Sequence, residues 1–140
     1  MRHRTLLAAM AMTGIAATAH AQTPVALAHQ HLDAIAAGDV QKITSQYSAG
    51  SWLSWVGGQL DGTYVGPEQI GGVWTKFSKA MTPLKMTIGE VREGANQAGS
   101  TVTADLTFTG KNVVKVRYVM LYRGGQLIDE IWQIDPKLPG

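Results

Sequence analysis

After Pro83 the chain reads as four alternating runs in succession: "LKMTIGEVREGAN", "STVTADLTFTG", "NVVKVRYVMLYR" and "QLIDEIWQID", separated by the turn signals "QAG", "GK" and "GG". Period-two alternation between Gly-bearing turns predicts consecutive antiparallel strands, and this constrains the fold more than any other feature. Before Pro83 the grammar is helical. In "TPVALAHQHLDAIAAGD", Val25, Ala28, Leu32 and Ile35 recur at three- and four-residue steps, with Gly38 as a natural stop. Asp39 is placed to cap a short second helix, "VQKITSQY", with Val40, Ile43 and Tyr47 on one side. Pro67 suits the first turn of a third helix whose buried stripe is Ile70, Trp74, Phe77 and Met81. "SWLSWV" and "GTYVG" between these helices read as two short strands. Helices followed by a meander predict an α+β domain in which a curved, mixed or antiparallel sheet wraps around three N-terminal helices as a cone.

The first residues carry a different message. "MRHR" followed by "TLLAAMAMTGIAATA" and the small residues of "AHA" has the form of a secretory signal peptide, residues 1–21, with cleavage expected after Ala21. The expected mature chain is a single domain, residues 22–140, periplasmic or secreted. The whole chain has 12 Lys+Arg and 10 Asp+Glu. Removing Arg2 and Arg4 leaves ten basic residues against ten acidic ones, so nothing in the charge points to nucleic acid or an anionic membrane. There is no cysteine. An exported domain of roughly 120 residues must then be held by its core alone.

The order of the features resembles the nuclear transport factor 2-like superfamily in its SnoaL-like branch. The matching stretches are "AAGDVQKITSQY" between the first helices, "W…GG…DGTYVGPEQI" leading into the third, and the closing "YRGGQLIDEIWQID". The resemblance implies a cone-shaped fold with a pocket at its open end, and a homodimer through the outer sheet face. It also implies a wide choice of function, because its members include isomerases, dehydratases, epoxide hydrolases, cyclases and noncatalytic binders. Matched to the ketosteroid isomerase pattern, His31 stands at the position of a helix Tyr, Trp55 at that of the Asp base, and Arg117 at that of a second Asp. Without a carboxylate at position 55 the isomerase route is not expected.

A two-residue hairpin loop at Gly124 and Gly125 pairs Arg123 with Gln126, Val119 with Glu130, and Arg117 with Trp132. In that register Glu130 faces inward and Asp129 outward; a longer loop exchanges them. Arg117 and Glu130 become neighbours on one face, with Trp132 beside Arg117. The opposite face carries Tyr118, Met120, Tyr122 and Ile131, a composition suited to a dimer interface. The candidate catalytic residues are therefore His31 and Glu130, and the candidate ligand-binding residues are Trp55, Tyr64, Arg117 and Trp132. Plain packing is the competing explanation for His31 and the Trp residues, and an internal salt bridge for Arg117 with Glu130. His29 and His31 point to different sides of their helix, so "HQH" is not a metal clamp. No metal or cofactor is expected. Three functions stay open: an exported binder of a small hydrophobic or aromatic molecule, with an anionic group on it as an option; a cofactor-free lyase, isomerase or hydrolase using His31 or Glu130; and a dimeric interaction module with a filled pocket.

Overall fold

The computed structural model describes residues 21–139, so all but the last residue of the expected signal peptide lies outside the described residues. Three helices and six strands follow one another: α1 (Pro24–Ala37), α2 (Val40–Thr44), β1 (Tyr47–Val56), β2 (Gly62–Val65), α3 (Gly66–Met81), β3 (Lys85–Asn96), β4 (Gly99–Thr109), β5 (Val113–Arg123) and β6 (Gln126–Ile134). The Thr23 side chain caps α1 by accepting from the Ala26 N–H at 3.2 Å, and the Asp39 carboxylate caps α2 through the Lys42 N–H at 3.1 Å. Gly38 closes α1 in the left-handed region, φ 67°, where a side chain would be strained and would meet Ser78. Gly71 serves a different need: a Cβ there would lie 3.2 Å from Thr44 Cγ2, so its small size lets α3 approach α2.

The strands form one sheet in the order β2-β1-β6-β5-β4-β3. The meander from β3 to β6 is antiparallel throughout, and β1 joins it by running parallel to β6. Ile70, Trp74, Phe77 and Met81 of α3 are buried against the concave face, as their spacing predicts. On β4, Val102, Ala104, Leu106 and Phe108 face the same core, while the alternate residues Thr101 to Thr109 line the outer side. Tyr47 belongs to β1 rather than to the second helix, though its ring still reaches the core.

The β5–β6 pairing departs from the expected register. Arg123 pairs with Gln126 and Tyr122 with Leu127, but Leu121 then pairs with Asp129, leaving Ile128 as an extra residue. That bulge rephases β6. Leu127 and Glu130 are three apart, and strict alternation would put them on opposite faces; with the bulge both are buried. Glu130 now pairs with Met120, and Trp132 with Tyr118. Two expectations are corrected as a result. Tyr118, Met120 and Tyr122 are core residues, not a dimer face, and Arg117 lies on the outer side of the sheet.

Candidate functional site

The inward residues of β1, β5 and β6 meet α1 and α3 in an aromatic core with a polar knot at one end. Trp55 of β1 and Trp132 of β6 stand side by side in the parallel register, ring centroids 5.0 Å apart and planes 30° from parallel. Trp74 meets Trp132 edge-on at 4.9 Å, and Phe77 and Phe108 close the cage. Such edge-to-face pairs each add about 0.5–1.5 kcal/mol beyond area burial.

The knot gathers around His31, which α1 presents from its buried stripe and which is fully buried. Its Nε2 lies 2.9 Å from the Tyr118 hydroxyl, 3.1 Å from Glu130 Oε1 and 3.5 Å from the Tyr47 hydroxyl. Tyr118 donates its own proton to Glu130 Oε1 in a short hydrogen bond. The Tyr118 oxygen therefore has only lone pairs to offer His31, and the network assigns a proton to Nε2. Trp74 Nε1–H donates to the Tyr47 hydroxyl at 3.0 Å and joins the knot to the aromatic cage. Burial, and next the negative charge of Glu130, push the hydroxyls of Tyr118 and Tyr47 well above the usual phenol range. Both remain protonated, so Tyr118 stays a donor to Glu130.

Four buried polar atoms in this region have no hydrogen-bond partner among the described residues: His31 Nδ1, Glu130 Oε2 and the indole nitrogens of Trp55 and Trp132. Each such group costs about 1–3 kcal/mol of desolvation while unpaired. Native domains carry a few per hundred residues, and here the four fall in two contacting pairs, His31 with Glu130 and Trp55 with Trp132, joined through Trp74 and Tyr118.

The other candidates lie elsewhere. Arg117 contacts Asp105 of β4 at 3.3 Å on the outer face and has no contact with Glu130 or Trp132. The expected Arg117–Glu130 pair is replaced by His31–Glu130. Tyr64 is half-buried on β2 and donates to the Leu60 carbonyl at 2.8 Å. A cleft of about 690 Å³ runs outside the cone, bordered by Gln30, Asp33, Asp39, Lys42 and Gln46, away from the knot. Among the described residues no group of three or more His, Cys, Asp or Glu is placed to hold a metal ion, and no helix is long and apolar enough to cross a membrane. Tyr47, Trp74 and Tyr118 were not foreseen as polar partners. The signal was on β5 itself, where one face carries Lys115 and Arg117 and the other only Val116, Tyr118, Met120 and Tyr122.

No protein-family model matches the chain, and no curated protein does. Solved structures do. An NTF2-like protein of unknown function from Pseudomonas putida superposes with a TM-score of 0.67 at 18% identity, covering 78% of this chain and 82% of that one. A ketosteroid isomerase-like protein from Erwinia carotovora gives 0.62 at 17%, covering 82% and 94%. A protein with a cystatin-like fold from Nostoc punctiforme gives 0.66 at 15%, covering 82% and 90%. The chain has the NTF2-like cone fold, with helices first and a curved, unclosed six-stranded sheet.

Proposed function

We propose that this is an exported small-ligand-binding protein of SnoaL-like type, mature from residue 22, whose cone takes a small hydrophobic or aromatic molecule. The observation that carries this reading is the set of four unpartnered polar atoms within one aromatic-walled core. A planar ligand that parts the Trp55, Trp132 and Phe77 rings exchanges ring–ring contacts for ring–ligand contacts and supplies the missing hydrogen bonds. Arg117, on the outer face, has no place in that site. Native mass spectrometry of the protein purified from the periplasm of a bacterial host tests the reading. The expected spectrum shows residues 22–140 plus a small molecule that is released on denaturation, and 1-naphthol or 2-naphthol added to the stripped protein quenches Trp fluorescence saturably. A bare chain that neither probe quenches overturns it. The proton-transfer alternative uses the same His31–Glu130 pair; recovery of an added ligand chemically changed would favour it over simple binding.

We propose the homodimer through the outer sheet face on a changed set of residues: Ile131 stays, and residues of β1 and β2 take the place of the buried Tyr118, Met120 and Tyr122. Trp52 and Val56 of β1, Val65 of β2 and Ile131 of β6 are 45, 37, 50 and 45% exposed. Trp52 pairs with Val65 and Ser54 with Ile131, so they form one patch across three neighbouring strands. Light scattering is expected to give twice the mature mass, and Ile131→Lys to give the single mass at equal concentration. A wild-type chain that stays single at its highest soluble concentration rules the dimer out.

A further inference from the structure

Trp55 and Trp132 offer more than apolar walls, and we infer that their two indole N–H groups form a donor pair for the acceptor oxygen of a neutral aromatic carbonyl ligand. The inference rests on the binding reading above and specifies its chemistry. Both side chains are more than nine-tenths buried, and both Nε1 atoms lack a partner among the described residues. They sit level on adjacent parallel strands with ring centroids 5.0 Å apart, so the two donors belong to side chains in contact. An indole N–H can only donate, so whatever satisfies it must accept. The surrounding rings are Trp74, Phe77, Phe108 and Tyr118, and the one lone-pair oxygen among them, the Tyr118 hydroxyl, is engaged with His31 and Glu130 instead. The buried polar or charged residues are His31, Ser51, Ser100 and Glu130, with no Lys or Arg among them. An anion placed here would lack a cation, and burying an uncompensated charge is far costlier than burying a neutral carbonyl. Glu130 Oε2, two residues from Trp132 on β6, is the unpartnered carboxylate oxygen of the same region.

Two isosteric probes separate this inference from the reading it rests on: 2-acetylnaphthalene carries a carbonyl where 2-isopropenylnaphthalene carries a methylene. The wild-type protein is expected to bind the ketone about tenfold more tightly, as one or two neutral hydrogen bonds to otherwise unpaired donors require. In ¹⁵N-labelled protein the ketone is expected to move two of the four Trp indole N–H resonances downfield relative to their positions with the hydrocarbon, whose identical ring supplies the ring-current shift alone. Trp55→Phe and Trp132→Phe assign those two resonances, and each variant is expected to lose more affinity for the ketone than for the hydrocarbon, so that the preference narrows. Equal affinities for the two probes, or movement of the Trp52 or Trp74 signals instead, overturn the donor pair while leaving an aromatic binding site intact. Binding of neither probe overturns both. The resonance measurement on the wild-type chain decides the matter even if a Phe variant does not fold.

Discussion

His31→Leu is expected to lower the free energy of unfolding by about 3–5 kcal/mol, the range found when one partner of a buried pair is removed. His31 and Glu130 are both buried, and their contact is 3.1 Å. Leucine leaves the Glu130 carboxyl with Tyr118 as its one donor among the described residues, and Tyr47 loses the imidazole beside it. Against a typical total of about 5–15 kcal/mol, that is a large fraction of the stability. Urea unfolding measures it directly. A triple variant, His31→Leu with Glu130→Leu and Tyr118→Phe, removes the polar groups together rather than orphaning them. It is expected to recover most of the loss, because apolar replacement of a whole buried network is often neutral. If the triple variant is as unstable as His31→Leu alone, the cost lies in shape, and the network has no special energetic role.

The same comparison bears on why a core would keep such a network at all. A knot of Tyr, His and Glu is dispensable for cohesion if aliphatic side chains can replace it, so its retention needs another reason. Two atoms of the knot, His31 Nδ1 and Glu130 Oε2, are unpartnered. Groups held by structure on one side and unpartnered on the other among the described residues are what the proposed binding reading rests on.

Much of this architecture was legible in the sequence because it rests on local rules. The stop at Gly38, the cap at Asp39, the stripe from Ile70 to Met81 and the clean alternation of β4 each follow from a few neighbouring residues. What could not be read was the phase of β6. A single extra residue at Ile128 exchanges every face beyond it, and nothing in "QLIDEIWQI" announces a bulge. Glu130 was placed inward by a continuous register and is inward through a broken one. Arg117 then went to the wrong side, and Tyr118 and Met120 with it. The partnership of His31 with Glu130 was hidden for a second reason: they are 99 residues apart, and only the closing of the sheet over α1 brings them together.

Trp132→Ala is the second large effect, and it links stability to the proposed ligand. Trp132 is fully buried and packs against Trp55, Trp74, Phe77, Phe108 and Tyr118. Removing an indole from such surroundings is expected to cost about 3–5 kcal/mol, from lost transfer energy and from the void the rigid neighbours cannot fill. Trp132→Phe, which keeps a ring, is expected to cost clearly less. The void left by alanine has aromatic walls and the shape of the missing side chain, so free indole should occupy it, as apolar ligands occupy engineered apolar cavities. Indole at a hundred times its dissociation constant restores about 2.7 kcal/mol by mass action, seen as a rise in melting temperature of the variant larger than that of the wild type. A loss below about 1 kcal/mol would mean the neighbouring rings close over the gap, outside the range for large-to-small core substitutions. Rescue without collapse would show that the walls formed by Trp55, Trp74, Phe77 and Phe108 hold their positions around a planar guest, which is the property a binding cone of this kind requires.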